Sequence, residues 1–301
     1  MTAPPVPKLR ISLKSEAMLL VCTLIWGGTF LATDIALAYA SPMALISARF
    51  GLAAMLALAL DLRAIVKMSR AAMTRGLILG ALLYSSFGMQ TIGQAYTSVS
   101  RSAFITQLLV AFTPVLERVL FRRRARPATL AGVCIVLFGM YLFSGASVGL
   151  SWNRGDWITL GCAFLFSVYI LAIDHLDLPG EHTPILFVQT FVVGVLGASS
   201  SFLMEDVRFQ PEVALGLALL YLAPLGVNVV LALQMRFQPG TTPARAAVVF
   251  TMEPVFATLM SVLLLQEDVG GLAVPGMVLI ITGVLVSELG PGLQRRGAKA
   301  R

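Results

Sequence analysis

The heptapeptide TSVSRSA at residues 97–103 recurs 144 residues later as TTPARAA at residues 241–247. Each copy introduces a long apolar segment. The same offset pairs Gly132 with Gly276, Gly139 with Gly283, Gln90 with Gln234, and Tyr84 with Asn228. Unusual residues that keep their order at one fixed spacing indicate an internal duplication. The sequence therefore predicts two related halves.

The composition is that of an integral membrane protein. Of 301 residues, 57% are hydrophobic and 12% are charged, with a mean hydropathy of +0.86, whereas soluble proteins carry roughly a quarter of charged residues. Three scattered cysteines and two histidines beside one polar loop provide neither a disulfide framework nor a metal site. The net charge of +7 comes from basic residues between apolar runs, which favours orientation signals over nucleic-acid binding.

Ten apolar runs are long enough to cross a bilayer as helices, which takes about 20 residues each. The predicted spans are 17–39, 42–60, 76–97, 101–121, 128–146, 155–173, 184–204, 212–235, 244–266 and 271–288. The connections between them are short, which leaves no room for a soluble domain. We therefore predict an all-α integral membrane protein.

Basic residues orient the spans. With the amino terminus in the cytoplasm, eighteen of the 22 Lys and Arg residues fall in cytoplasmic segments, three fall outside, and Arg49 lies within the second span. The loop 174–183 departs from this rule, because it has acidic residues but no Lys or Arg. Both termini are therefore predicted to be cytoplasmic.

Five spans in each half place the second half upside down relative to the first. The predicted divisions are a cytoplasmic segment 1–15, a first repeat 16–146, an inverted second repeat 147–288 and a basic cytoplasmic tail 289–301. Inverted repeats are typical of secondary transporters, which bind their substrate near the midplane between the halves. We therefore expect a central cavity.

Several motifs resemble one transporter family. They are WGGTF (26–30), RFGLAA (49–54), AYTSVSRSAFI (95–105), MEPVFA (252–257), LLLQED (263–268) and PGMVLIITGV (275–284). Together they resemble the drug/metabolite transporter superfamily, in particular its EamA-type exporters, and amino-acid exporters are the most similar type. The resemblance covers nearly the whole chain. It implies two inverted five-helix halves around a central cavity, and export of metabolites from the cytoplasm across the inner membrane.

Two charges in the outer third of neighbouring spans permit a salt bridge. A charge within a span costs about 2.5–3.5 kcal/mol on insertion scales, so each needs a partner or a task. Asp34 and Arg49 lie at similar depth on antiparallel helices. They either neutralise each other, or one of them faces the cavity and engages a substrate carboxylate or amine.

Glu253 lies near mid-depth in the ninth span, directly before Pro254. A proline frees a backbone carbonyl, so a protonated glutamate could satisfy that carbonyl locally. The alternative is a coupling role, because a carboxyl group removed from water holds a proton more readily. Pro114 and Pro224 are further predicted helix breaks.

A polar stripe in the third span is the strongest indication of a cavity. Ser86, Gln90 and Gln94 recur every four residues and share one helical face, with Tyr84 nearby. Asn228 and Gln234 supply a polar counterpart in the eighth span. The stripe lines a water-filled cavity or joins helices. The expected aromatic walls of the cavity, which packing alone could also explain, are Trp26, Phe30 and Tyr169.

The residues favour a secondary transporter of neutral, zwitterionic or modestly apolar cargo by alternating access, and the resemblance implies export of aromatic or other neutral amino acids, or similar small metabolites. Arg49 is the one basic residue well inside a span, which disfavours phosphorylated cargo. No phosphate-binding loop, nucleophile–histidine pair, cofactor motif or metal site is predicted, so we expect no enzymatic activity. One chain holds both halves of a cavity, so a monomer suffices in principle. The alternatives are an exporter of drugs or other metabolites, and a membrane scaffold or sensor.

Overall fold

The computed structural model describes residues 13–97, 99–123, 125–143, 152–265 and 271–299. Its helices are α1 (Leu13–Leu37), α2 (Pro42–Leu60), α3 (Leu62–Val66), α4 (Arg70–Gln94), α5 (Val99–Thr106), α6 (Leu109–Phe121), α7 (Pro127–Phe143), α8 (Arg154–His175), α9 (His182–Met204), α10 (Val213–Leu222), α11 (Val230–Phe237), α12 (Pro243–Phe250), α13 (Glu253–Leu265) and α14 (Ala273–Lys299). A π-helical turn, Pro224–Val229, joins α10 to α11, and a 3-10 turn, Gln238–Gly240, follows α11.

Some predictions reach beyond the described residues. The predicted amino-terminal segment 1–15 is described only from residue 13, and the predicted tail 289–301 only to residue 299. The ends of the predicted fifth and ninth spans, 144–146 and 266, also lie outside the described residues. Where the tail is described, its backbone continues α14 to Lys299.

The all-helical character predicted from the sequence is confirmed. Across the described ranges the one β-type pairing is an isolated bridge between Ala40 and Phe209. Large apolar side chains lie on the outside of the helices, among them Phe202, Leu203 and Met204, which are more than three-quarters exposed. A helix bundle with an apolar exterior suits lipid rather than water.

Within the described residues, seven helical segments are long and apolar enough to cross a membrane. They are Leu13–Leu37, Pro42–Leu60, Arg70–Gln94, Arg101–Phe121, Arg154–His175, His182–Met204 and Val213–Gly240. The predicted spans 128–146 and 271–288 correspond to shorter apolar helices, Pro127–Leu142 and Val274–Ser287. The predicted span 244–266 falls on α12 and α13. The count of ten therefore remains a prediction.

The helices pack as pairs, most extensively α7 with α14 and α2 with α9. Close approach of α7 and α14 depends on glycine, because a Cβ atom built on Gly132 would lie 2.6 Å from the carbonyl oxygen of Gly283. The α4 helix packs on α8 and α9, while α1 packs on α13, α10 and α11.

Two helices are interrupted at equivalent points of the proposed duplication. The break between α5 and α6 falls at residues 107–108, and the break between α12 and α13 falls at residues 251–252. Shifting Thr106, where α5 ends, and Leu109, where α6 begins, by 144 residues gives Phe250 and Glu253, where α12 ends and α13 begins. The sequence offset therefore also relates the helix boundaries.

Two apolar clusters flank the centre of the bundle. One includes Phe50, Leu83 and Leu231, from α2, α4 and α11. The other is built mainly from α6, α7, α8 and α12. Trp26 and Phe166 pack against both clusters. Both of these residues also line the candidate site.

Candidate functional site

A cavity lies at the centre of the bundle. It contains about 500 Å³ of empty space, part of which is open to the outside. The cavity is lined by Trp26, Thr29, Leu83, Phe87, Gln90, Thr106, Gln107, Leu109, Phe166, Tyr169, Ile170, Leu231, Gln234, Phe250 and Glu253.

Residues at and beside the two helix breaks line this cavity. At the first break the amides of Leu108 and Val110 bond to carbonyl groups three residues earlier, as do the amides of Thr251 and Met252 at the second. Such tightened turns interrupt the regular helix and are common at functional positions. Thr106 and Gln107 line the cavity from the first break, and Phe250 and Glu253 line it from the second.

Gln107 and Glu253 join the two breaks. The Nε2 group of Gln107 donates a hydrogen bond to Oε2 of Glu253 over 2.7 Å. The Oε1 atom of Gln107 is buried and has no hydrogen-bond partner. A buried polar atom without a partner costs free energy, so its presence in a cavity lining favours a role in binding.

The position of Glu253 bears on the two interpretations of the sequence. The side chain of Glu253 accepts a hydrogen bond from Gln107, in the break between α5 and α6. Glu253 is therefore joined to the first break, and both interpretations of its role stay predictions.

Gln90 and Gln234 lie in the cavity lining, from α4 and α11. Gln234 donates from Nε2 to Oε1 of Gln238 over 2.9 Å, and Gln238 donates to the carbonyl oxygen of Ile170 over 2.7 Å. This chain fixes which end of the Gln234 amide is the oxygen. That Oε1 atom is buried without a partner, the second such acceptor in the lining.

Aromatic rings form much of the apolar wall. Trp26 meets Phe250 edge to face, with ring centroids 5.4 Å apart, and its Nε1 group donates to the carbonyl oxygen of Gly226 over 3.2 Å. Phe87 and Phe166 make a second edge-to-face contact at 5.1 Å. Tyr169 also lines the cavity, and its hydroxyl donates to Gln189 over 2.9 Å.

The cavity lining repeats the 144-residue offset. The related lining pairs are Trp26 and Ile170, Phe87 and Leu231, Gln90 and Gln234, Thr106 and Phe250, and Leu109 and Glu253. Residues related by this offset therefore line one cavity.

The predicted polar stripe of α4 does not line the cavity as a unit. Gln90 lies in the lining, but Ser86 donates to the Leu82 carbonyl of its own helix, and Gln94 donates to the carbonyl oxygen of Phe30 over 3.1 Å. The reason is geometric, since a step of four residues turns roughly 40° past a full rotation and the stripe winds around the helix. Ser86 and Gln94 are buried between helices instead.

Three other predicted cavity residues are outside the described lining. Phe30 is buried beside Gln94, the hydroxyl groups of Tyr84 and Ser200 are hydrogen-bonded, and Asn228 donates to the carbonyl oxygen of Ala53 over 3.0 Å. Polar side chains that bond across helices stabilise packing within a membrane. The interhelical alternative therefore describes these positions better.

The possible salt bridge between Asp34 and Arg49 is not formed. Both residues are described; Asp34 is exposed, Arg49 is 2% exposed, and no ion pair joins them. The predicted pair rested on the similar depth of the two residues in the membrane, and depth does not determine the direction in which a side chain points from its helix. The guanidinium of Arg49 lies over the rings of Phe87, at 4.8 Å, and Phe50, at 5.4 Å, and Nη2 donates to the carbonyl oxygen of Gly226 over 3.4 Å.

The predicted helix-breaking prolines differ in effect. Pro254 directly follows the start of α13, after the break at 251–252, and Pro224 opens the π-helical turn. Pro114 lies inside α6, and the break of that predicted span is seven residues earlier, at 107. Gln107, which sequence analysis missed, was detectable as an amide within a predicted span.

Comparison with known proteins identifies a family. A model of the EamA-like transporter family matches residues 13–145 and residues 153–289. The resemblance indicated by the sequence motifs is therefore confirmed. The two matched ranges fall on either side of the proposed boundary between the halves.

Two relatives cover most of the chain. An uncharacterized transporter of Archaeoglobus fulgidus is 29% identical over 277 residues, covering 92% of this chain and 86% of that protein. A probable amino-acid metabolite efflux pump of Escherichia coli is 26% identical over 308 residues, covering 93% of this chain and 96% of that protein. A solved crystal structure matches with a TM-score of 0.78 at 20% identity, covering 92% of this chain and 98% of the other. That likeness shows a shared fold.

Proposed function

The chain belongs to the EamA-like transporter family, and on this premise we propose that it is a secondary transporter that exports amino acids or similar small metabolites by alternating access. One observation carries the proposal: a central cavity into which both helix breaks bring polar groups, joined by the bond between Gln107 and Glu253. Interrupted helices at a midplane cavity are the way many transporters build a substrate site.

We also propose the ten-span, two-half architecture with inverted repeats. The repeated helix bounds, the related lining positions and the double family match all support it. The proposed halves are 16–146 and 147–288. Two halves of opposite orientation around one cavity offer equivalent routes to either side of the membrane.

The cavity chemistry favours neutral or zwitterionic cargo. The described lining contains Glu253 and three glutamines, but no Lys, Arg or His. Binding of phosphorylated cargo would require several converging basic groups. Unpaired acceptors at Gln107 and Gln234 suit a ligand with N–H groups, and the aromatic wall suits an apolar side chain. A neutral amino acid offers both.

Membrane location and orientation follow from the same premise. The chain is a multi-pass membrane protein, as its apolar helices and transporter relatives indicate. We propose that it lies in the cell's inner membrane with both termini in the cytoplasm, because the basic residues are concentrated in the segments that this orientation places inside.

Flux through purified protein in liposomes tests the function. The panel contains labelled aromatic amino acids, methionine and threonine, each measured with and without an imposed pH gradient. We expect saturable flux above that of empty liposomes. Flux that responds to the gradient in the native protein, but not in Glu253→Gln, would assign proton coupling to Glu253.

A second candidate is an exporter of drugs or other metabolites. The apolar wall of the cavity, which includes Phe87, Phe166 and Leu231, favours it. Absence of flux for every amino acid, with saturable flux of an amine-bearing drug, would support this candidate. The family is one of transporters, so neither an enzyme nor a scaffold is proposed.

A further inference from the structure

Two ion pairs join the first half of the chain to the second, away from the cavity. Asp156, in the first turn of α8, accepts hydrogen bonds from Thr97, over 2.7 Å, and from Arg101 Nε, over 3.2 Å. Glu16, in the first turn of α1, is 2.7 Å from Nη2 of Arg245. Thr241 donates to the same carboxylate over 3.4 Å.

The two ion pairs are related by the offset that relates the halves. Thr97 and Arg101 shifted by 144 residues give Thr241 and Arg245. The acidic partner lies in the first turn of the opening helix of the opposite half in both cases. The two acidic positions differ by four residues under the offset, about one helical turn. One interaction therefore occurs twice.

The pairs lie at opposite ends of the bundle. Gly93, at the end of α4, lies against Gly155, and its neighbour Gln94 bonds to Phe30 of α1. Asp156 is therefore near the part of α1 around Phe30. Glu16 is fourteen residues earlier in the same helix, which is about 21 Å along the axis.

Each arginine lies on a short helix that leads directly to the cavity. Arg101 belongs to α5, which ends at Thr106, and Arg245 belongs to α12, which ends at Phe250. Thr106 and Phe250 both line the cavity, beside the breaks. Movement of either short helix about its break would therefore change the ion pair and the cavity together.

We propose that Arg101–Asp156 and Arg245–Glu16 are alternating latches that set the side to which the cavity opens. Separation of the Arg101 pair opens one end while the Arg245 pair holds the other, and the reverse exchange completes the cycle. The four residues are positioning residues, because they act on the cavity through α5 and α12. This inference rests on the proposed function and adds the groups that control access.

The stability of the two ion pairs suits a reversible change between a closed and a separated state. Asp156 is fully buried and the Arg245 side chain is 3% exposed. A buried ion pair loses hydration that its attraction only partly offsets, so its net contribution to stability is modest. Such a pair can open when water reaches it, which occurs when that end of the cavity opens.

Side-specific labelling of one cavity cysteine tests the latches. The reporter is Leu231→Cys in a chain whose three native cysteines are replaced by alanine. A membrane-impermeant thiol reagent is applied to intact cells and to inside-out vesicles, and the ratio of the two labelling rates gives the preferred opening. The assay contains no cargo.

Arg101→Gln and Arg245→Gln should move the labelling ratio in opposite directions. We expect about tenfold each, the change that ~1.4 kcal/mol of differential stability produces. Equal ratios in both variants, a shift in the same direction or a shift in one alone would overturn the latches. A purely structural role would lower stability without opposite shifts.

Matched controls and a rescue complete the design. Arg154→Gln and Arg236→Gln remove exposed arginines that stack on Tyr96 and Phe237, and they should leave the ratio unchanged. The double substitution Glu16→Arg with Arg245→Glu exchanges the two charges and should restore the native labelling ratio. If the Gln variants do not fold, the labelling ratios of Arg101→Lys and Arg245→Lys are measured in the same assay.

Failure of this inference and failure of the proposed function give different results. Absence of flux for every cargo would remove the transport proposal, while opposite labelling shifts would still establish the latches. Flux with unchanged labelling would remove only the latches.

Discussion

The Nε2 group of Gln107 lies 2.7 Å from Oε2 of Glu253, and this bond connects the break between α5 and α6 to the break between α12 and α13. The two residues are far apart in sequence and meet only because the halves fold around one cavity. The bond makes Glu253 part of a polar site shared by both halves, and not a local patch on its own helix.

Replacement of Glu253 by glutamine tests whether its carboxyl group carries protons. The substitution keeps the shape and a hydrogen-bonding amide, so folding should be retained while the titratable group is lost. We expect the pH dependence of flux to disappear. Flux is measured in liposomes at a series of equal internal and external pH values.

Glu117→Gln is the matched control for this prediction. Glu117 is another buried carboxyl group, on α6, and it is outside the described cavity lining. Its variant should keep the native pH profile. An unchanged profile in Glu253→Gln would remove Glu253 from proton coupling.

The same substitution made one helical turn apart should have two different effects. Gln90→Leu removes an amide from the cavity lining and loses only a long contact, 3.5 Å, to Thr106. We expect KM for the cargo to rise by about tenfold, as for loss of one ligand hydrogen bond, with thermal stability unchanged.

Gln94→Leu should instead weaken the fold. It removes the donor to the buried carbonyl group of Phe30, which costs about 1–3 kcal/mol. Thermal unfolding in detergent and flux kinetics, measured on both variants, check the pair. Equal effects of the two variants on KM would contradict the different placement of Gln90 and Gln94.

Substitution of Gly132 should separate α7 from α14. A Cβ atom at this position would lie 2.6 Å from the Gly283 carbonyl oxygen, so one backbone must move. We expect Gly132→Ala to cost about 1–3 kcal/mol of stability. Gly216→Ala, in α10, meets nothing within 4 Å and should be neutral or stabilising. A denaturation series in detergent that ranked the two variants equally would contradict this packing.

Asp34 and Arg49 should behave as independent residues. Asp34 is exposed, whereas Arg49 is buried against two phenylalanine rings. We expect Asp34→Asn to leave stability unchanged and Arg49→Lys to lower it, because the flat guanidinium stacks on rings better than an ammonium group. In a double-mutant cycle the coupling energy should be below about 0.5 kcal/mol. A larger coupling energy would indicate that the two charges interact.

Much of the architecture was predictable from the sequence, because lipid imposes long apolar helices. The predicted span 42–60 is α2, and the 144-residue offset predicts both helix breaks once one is known. The breaks themselves were harder to locate. Pro114 lies in the interrupted span, but the interruption is at residues 107–108, where the sequence has neither proline nor glycine.

Side-chain placement was predictable only in part. The predicted residues Trp26, Gln90, Tyr169, Gln234 and Glu253 lie in the cavity lining. Ser86 and Gln94 share the spacing of Gln90 and yet lie between helices, because periodicity does not specify the rotation of a helix among its neighbours. Thr29, Phe87, Thr106 and Phe166 were missed for the converse reason, since nothing in their type distinguishes cavity walls from ordinary packing.

Counterflow in liposomes tests the central claim, carriage through this cavity by alternating access, most directly. Vesicles are loaded with an unlabelled neutral amino acid, diluted, and given a trace of the same amino acid in labelled form. A carrier that exchanges cargo across the membrane should accumulate the label transiently above its external concentration, and Gln90→Leu should reduce that overshoot at low cargo concentration. Label that only equilibrates, for every amino acid and every amine-bearing drug tested, would contradict the account.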